Sequence, residues 1–232
     1  MIEIIPSESR GSADHGWLKA KHTFSFAEYH NPQRMHFGPL RVINEDRIAP
    51  GKGFGTHPHK DMEILTYPIS GAIEHKDNMG NGAIITAGEV QRMTAGRGVE
   101  HSEYNPSKTD ELHLLQIWIL PEQKNLVPGY EQKTFSREDK LNQLRLIASR
   151  DGRDGSITIH QRVSLYASVL QQHTELEHVI ADSHKVFVQV IHGEVSINGQ
   201  NAAAGDGVQI KDEQRLIISA LTEVELLLFD MG

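Results

Sequence analysis

Ser70-Gly71-Ala72-Ile73-Glu74-His75, then Met79-Gly80-Asn81-Gly82, then Ala83-Ile84-Ile85-Thr86-Ala87-Gly88-Glu89-Val90, alternates strand-length apolar segments with glycine-bearing turns. Such punctuation belongs to antiparallel hairpins, because helices need an apolar stripe sustained over ten or more residues. The phrase returns in the second half. His192-Gly193-Glu194-Val195-Ser196-Ile197 leads into Ala203-Ala204-Gly205-Asp206-Gly207-Val208. Both copies run strand, glycine, strand, short turn, then small residue, glycine, acidic residue and another strand. An internal echo of this kind points to a duplicated β domain.

The same rhythm extends outward through residues 40–43, 62–67, 112–120, 157–160, 165–170, 186–191 and 223–229. Ten or more short strands fit sandwiches or barrels, an all-β class. Pro68 lacks the N–H a central strand donates on both edges, so its segment is expected to lie at an edge or to end there. Between Pro121 and about Arg153 the apolar rhythm pauses, and Ser136 is placed to cap a short helix through Ile147. The expected partition is residues 1–120 and 121–232, the second beginning with the linker.

The composition, 38% hydrophobic and 23% charged, is that of a folded chain and not a disordered one. The absence of cysteine removes disulfides, thiolate zinc sites, iron–sulfur clusters and cysteine nucleophiles. A formal charge of −8 argues against a nucleic acid as direct partner. No apolar run approaches the roughly 20 residues of a membrane span, and the first residues lack the pattern of an export signal, so no membrane association and a cytoplasmic location are expected.

Chemistry concentrates in two stretches, Gly51-Lys52-Gly53-Phe54-Gly55-Thr56-His57-Pro58-His59 with Glu63 beyond it, and Gly96-Arg97-Gly98-Val99-Glu100-His101-Ser102-Glu103-Tyr104-Asn105. On extended backbone, residues i and i+2 share a face, which pairs His57 with His59 and His101 with Glu103. Three imidazoles and a carboxylate suit a first-row divalent metal, and octahedral coordination would leave two positions open. The pairing favours Glu103 as the carboxylate, with Glu63 the alternative. The remaining histidines, His22 and His75 among them, have no comparable partners and are read as surface or satisfied core residues.

These stretches resemble the two cupin motifs, with Gly96 standing where the second motif usually carries proline. Finer phrases resemble the pirin family: His22-Thr23-Phe24-Ser25-Phe26, Thr56-His57-Pro58-His59, and Met93-Thr94-Ala95-Gly96-Arg97-Gly98 leading into His101-Ser102-Glu103. The likeness covers most of the first 120 residues and is nearest to bacterial pirin-like quercetin 2,3-dioxygenases. It implies a bicupin, two face-to-face jelly-roll-type β-barrels, whose first barrel holds one ion on His57, His59, His101 and Glu103. It also implies iron(II) as the ion, with manganese, nickel, cobalt, copper and zinc as substitutes. The second half contains no His-x-His, so no comparable site is expected there.

The activity implied is cleavage of a flavonol such as quercetin by dioxygen with release of carbon monoxide, Glu103 accepting the 3-hydroxyl proton and Glu63 in reserve. The alternative is a non-catalytic metal-binding pirin that acts as a redox-dependent partner of other proteins or as a transcription cofactor. Since fold alone does not fix chemistry, another cupin reaction is a third reading. Oxygen uptake with and without a flavonol separates the three.

Overall fold

A computed structural model describes all residues, Met1–Gly232, and its regular secondary structure is almost entirely strand, with one four-residue α-helix and two short 3-10 turns. The chain divides into two compact units: Gly11–Thr134 with Ile159–Gln161, and Met1–Arg10 with Phe135–Thr158 and Arg162–Gly232. β1 (Ile2–Ile5) opens the chain. The first unit is built from β2 (Gly11–Asp14), β3 (Leu18–His22), β4 (Leu40–Ile48), β5 (Gly53–His59), β6 (Glu63–Ser70), β7 (Ala72–Asp77), β8 (Gly82–Thr86), β9 (Glu89–Thr94), β10 (Val99–Tyr104), β11 (Leu112–Ile119) and β12 (Gly129–Thr134). After α1 (Arg137–Lys140) come β13 (Arg145–Ser149), β14 (Ile157–Thr158), β15 (Val163–Leu170), β16 (Glu175–Val179), β17 (Lys185–His192), β18 (Glu194–Ile197), β19 (Gln200–Ala203), β20 (Gly207–Ile210), β21 (Arg215–Ala220) and β22 (Val224–Met231). No helix is long and apolar enough to cross a membrane.

Each unit has a seven-stranded and a four-stranded sheet. In the first the orders are β12-β9-β6-β11-β4-β3-β2 and β5-β10-β7-β8, and in the second β1-β20-β17-β22-β15-β13-β14 and β16-β21-β18-β19. From β4 to β11 every strand has its counterpart eleven places later in the same sheet position, which is the duplication expected from the repeated glycine phrase. The outer edge of the large sheet breaks the simple shift. β12 fills it in the first unit by pairing with β9, and β1 fills it in the second by pairing with β20.

The units therefore differ from the expected partition at 120/121. Met1–Arg10 packs with the second unit, the first runs on to Thr134, and Ile159–Gln161 returns to it through Glu122 N–H on the His160 carbonyl and Gln161 on the Leu120 carbonyl. An edge strand pairs through backbone groups, so side chains at residues 2–5 and 129–134 do not encode which sheet receives them. The helix expected through Ile147 ends at Lys140. Ser136 and Asp139 form a reciprocal capping box, but Leu146 and Ile147 are buried in β13, which pairs with β15. Pro68 lies inside β6 where the ladder to β9 has already ended at Thr66, beside a register shift against β11, so no second ladder is broken there.

The two interiors differ in kind. In the second unit Val186, Val188, Val195, Ile197, Leu216 and Ile218 belong to one continuous buried apolar cluster. In the first, two smaller clusters around Ile73 and Met93 are separated by polar side chains. The register shows how. His22 lies opposite Asn44, Asn44 opposite Gln116, Gln116 opposite Thr66, and Thr66 opposite Gln91, one polar row crossing five adjacent strands of the large sheet. Gln116 is part-exposed and the other four are buried. Buried polar groups need partners: Gln91, Thr66 and Gln116 find them on the small sheet, and His22 and Asn44 in each other.

Candidate metal centre

β5 and β10 run antiparallel with His57 directly opposite His101 and His59 opposite Val99, and the register shifts between His101 and Glu103. The alternation of a strand puts His57 and His59 on one face and His101 and Glu103 on the facing row. The three imidazole rings form a triangle, with centroid separations of 4.8 Å for His57 and His59, 4.4 Å for His57 and His101, and 4.9 Å for His59 and His101. Their nearest ligating atoms all lie within 4.8 Å of one another. Glu103 joins His101 in a second such group whose third member is His75. Glu103 also shares a cavity wall with His57 and His59, so the structure brings together all four expected residues.

Glu63 is elsewhere. Its carboxylate accepts hydrogen bonds from Thr94 Oγ1 at 3.0 Å and His160 Nδ1 at 3.2 Å, with Arg92 Nε at 4.0 Å. Burial raises its pKa, opposed by the Arg92 and His160 charges. It serves the packing of residues 159–161 and takes no place among the imidazoles.

The donor set fits a metal ion. His101 Nε2 is buried and has no hydrogen-bond partner, the condition expected of a nitrogen that ligates. His57 donates from Nδ1 to the Gly55 carbonyl at 2.8 Å, which leaves its Nε2 lone pair available. Burial, reinforced by His57, lowers the His59 pKa to about 4, and burial with the charges of His57, His59 and His75 lowers that of His101 to about 2. Both rings are neutral at pH 7, as ligation requires.

Glu103 is held by the polar row. Gln116 Nε2 donates to Oε2 at 2.9 Å, Thr66 Oγ1 lies 3.5 Å from Oε1, and Thr66 also donates to Gln116 Oε1 at 3.0 Å. Burial raises the Glu103 pKa and the Gln116 hydrogen bond works against that rise. The other end of the row, His22 Nδ1 with Asn44 Oδ1 at 2.8 Å, faces a cavity of about 310 Å³. Phe26, Phe54 and Trp118 give this cavity aromatic walls, and His57, His59 and Glu103 stand in it. Its volume lies at the lower end of the range of small-molecule sites, roughly 300–1,000 Å³.

Two expectations for lone histidines change. His22 lines the cavity, and His75, fully buried, lies 3.4 Å from His101 by their Nδ1 atoms and 3.0 Å from Asp77. The signal for His75 was present in the sequence, since His75-x-Asp77 obeys the same i, i+2 rule that pairs His101 with Glu103. Gln91, Thr66 and Gln116 gave no such signal, because a lone amide or hydroxyl in a strand does not declare what it faces.

In the second unit the same positions are aliphatic. Ile218 pairs with Ile197 as Glu103 pairs with His75, and Val188 stands between Leu228 and Val208 as Thr66 stands between Gln116 and Gln91.

Comparison with known proteins finds two successive matches along the chain. A family model described as Pirin matches residues 5–119, and one described as Quercetinase C-terminal cupin domain matches residues 146–231. The chain is 51% identical over 231 residues to the quercetin 2,3-dioxygenase of Escherichia coli K12, covering all of this chain and 99% of the relative. It is 40% identical to a pirin-like protein of Caulobacter vibrioides, over 99% of each. The crystal structure of a bacterial pirin from Escherichia coli in complex with nickel(II) superposes with a TM-score of 0.96 at 50% identity, covering all of this chain and 99% of that one. With two cupin domains and full-length relatives at this identity, the chain belongs to the pirin family.

Proposed function

We propose that the chain is a metal-dependent dioxygenase that cleaves flavonols, quercetin among them, with His57, His59, His101 and Glu103 holding one divalent ion. The observation that carries this reading is the imidazole triangle, with its unpartnered His101 Nε2, beside an aromatic-walled cavity. The name of the 51% identical relative supplies the substrate, and the nickel(II) complex of the Escherichia coli pirin supports a transition ion. Iron(II) is the ion we assign to turnover, on the resemblance of the motifs.

A divalent ion held by these three imidazoles and the carboxylate would supply Lewis-acid polarisation of an enol oxygen and reactivity toward dioxygen. The protein's own groups do the rest. Phe26, Phe54 and Trp118 offer flat apolar faces to an aromatic substrate, while His22 and Asn44 stand among the polar groups of the cavity. Glu103 accepts the proton of the flavonol 3-hydroxyl, and its buried position, which raises its proton affinity, suits it to that task. Gln116 and Thr66 keep the carboxylate aimed while it does so.

The test is anaerobic loading with iron(II), followed by oxygen uptake and carbon monoxide release with and without quercetin. Turnover is expected only with both metal and flavonol. Metal analysis should show one ion per chain, lost in His57→Ala and His101→Ala and retained in Glu63→Gln. At matched metal content, Glu103→Gln should lower kcat by about 10²–10⁴-fold while changing flavonol affinity far less. Fully loaded protein that leaves quercetin intact and takes up no oxygen would overturn the reading and turn attention to the non-catalytic pirin alternative.

A further inference from the structure

His75 and Asp77 have no role in the chemistry above, yet they form a fully buried pair against a proposed ligand. His75 is directly opposite Glu103, and Asp77 directly opposite His101, across the β7–β10 ladder. His75 Nε2 lies 3.0 Å from Asp77 Oδ2, and its Nδ1 lies 3.1 Å from Gln91 Nε2 and 3.4 Å from His101 Nδ1. Asp77 Oδ1 meanwhile accepts the backbone N–H groups of Met79 and Asn81, and Oδ2 also accepts Asn81 Nδ2 at 2.8 Å.

The proton positions follow from what each group is able to do. A carboxylate only accepts, so His75 donates from Nε2, and a neutral imidazole that donates from one nitrogen accepts at the other. Gln91 and His101 are then the donors to His75 Nδ1. A proton on His101 Nδ1 leaves the lone pair on Nε2, the one ring nitrogen of the pair without a partner. We propose that His75 and Asp77 are positioning residues that fix His101, through this chain of hydrogen bonds, in the tautomer a metal ion requires. The inference rests on the metal reading above and extends it to residues that touch neither ion nor substrate.

Asp77→Asn is the informative variant. The two backbone N–H groups hold an oxygen at the Oδ1 position, so the amide nitrogen falls where Oδ2 stood and faces His75. His75 would then accept at Nε2, carry its proton on Nδ1, and force the His101 proton onto Nε2, where the ion must bind. Partners of this kind typically change metal affinity by about 10–100-fold.

Nickel(II) affinity of the full chain, measured by chelator competition, should fall by about 10–100-fold in Asp77→Asn. It should stay within about 2-fold in Asn81→Ala, which removes a donor from the same carboxylate and leaves His75 in contact. Long-range proton–nitrogen NMR of the metal-free protein should show His101 protonated on Nδ1, and on Nε2 in Asp77→Asn. Should Asp77→Asn fail to fold, His75→Phe, which severs the chain without inverting it, should weaken nickel(II) by about 3–10-fold. Wild-type affinity in Asp77→Asn, a wild-type His101 protonated on Nε2, or a nickel spectrum with His75 as an added nitrogen ligand would each overturn the proposal. If the wild type binds no nickel(II), the metal reading fails, and the tautomer of metal-free His101 still decides this one.

Discussion

His101 combines burial with a ring that must stay neutral, and that makes the metal-free protein sensitive to acid. Its folded-state pKa, about 2, lies far below the ordinary histidine value of about 6.5. A depressed folded pKa contributes stability that is fully present above the unfolded value and is lost as pH falls toward the folded one. Below about pH 6.5 unfolding therefore takes up one more proton at His101, worth about 1.4 kcal/mol per pH unit. His59 acts in the same direction more weakly, being partly exposed, and the raised carboxylates Glu103 and Glu63 act in the opposite direction. Comparing metal-free wild type with His101→Phe isolates the His101 contribution, because the substitution shifts the level but removes the slope. Denaturant unfolding should show wild type losing about 1.6 kcal/mol in all relative to the variant between pH 6.5 and 5, and equal slopes would refute the assignment. At this scale the sequence declares His57, His59, His101 and Glu103, since i, i+2 pairing on strands is a rule of backbone geometry. It is silent on Gln116 and Thr66, whose role depends on cross-strand register that local composition does not set.

The proposed ligands hold their places because β5 lies close against β10, and glycine at position 53 permits it. A Cβ there would overlap the Glu103 carbonyl oxygen and the Tyr104 Cα, backbone atoms that cannot swing aside. Gly53→Ala should therefore push β5 outward, carrying His57 and His59 away from His101, with a cost of roughly 1–3 kcal/mol in stability. Nickel(II) affinity should fall along with the denaturant midpoint, whereas Gly82→Ala, with open space around its Cβ, should alter neither beyond the ordinary effect of a surface change. A Gly53→Ala protein with native metal affinity would show that the approach of the two strands is not what sets the site. Elements whose apolar residues face the core were legible, β6, β11, β15, β17 and β22 among them. β12 was not, because Tyr130, Glu131, Gln132 and Lys133 are all part-exposed and lack the alternation that marks a half-buried strand. The short helix was legible only at its start, where the capping box resides, and its end was decided by the demand of Leu146 and Ile147 for the sheet.

Across the whole molecule the duplicated topology separates what a barrel needs from what a site needs. Both units keep the same strand order, yet one interior carries the polar row and the imidazoles and the other one continuous apolar cluster. The polar row is thus not a requirement of the fold. The edge strand of the large sheet is present in both, and the second unit takes its copy from the first residues of the chain. Ile2 to Ile5 pairs in register with Ile210 to Gly207, the Ser7 amide donates to Asp206 at 2.7 Å, and buried Arg10 donates to the Gly205 carbonyl at 3.0 Å. Ile5 is 1% exposed, so its side chain alone contributes about 1.5–3 kcal/mol. Removing residues 1–10 should leave β20 with an unpaired edge and lower the stability of the second unit by several kcal/mol. Hydrogen exchange read by mass spectrometry should then quicken in peptides covering β17 and β20, while β10, which carries His101 and Glu103, keeps its protection. Unchanged exchange in β20 would mean that β1 lies on the sheet without supporting it, and equal quickening in β10 would mean that the two units unfold as one.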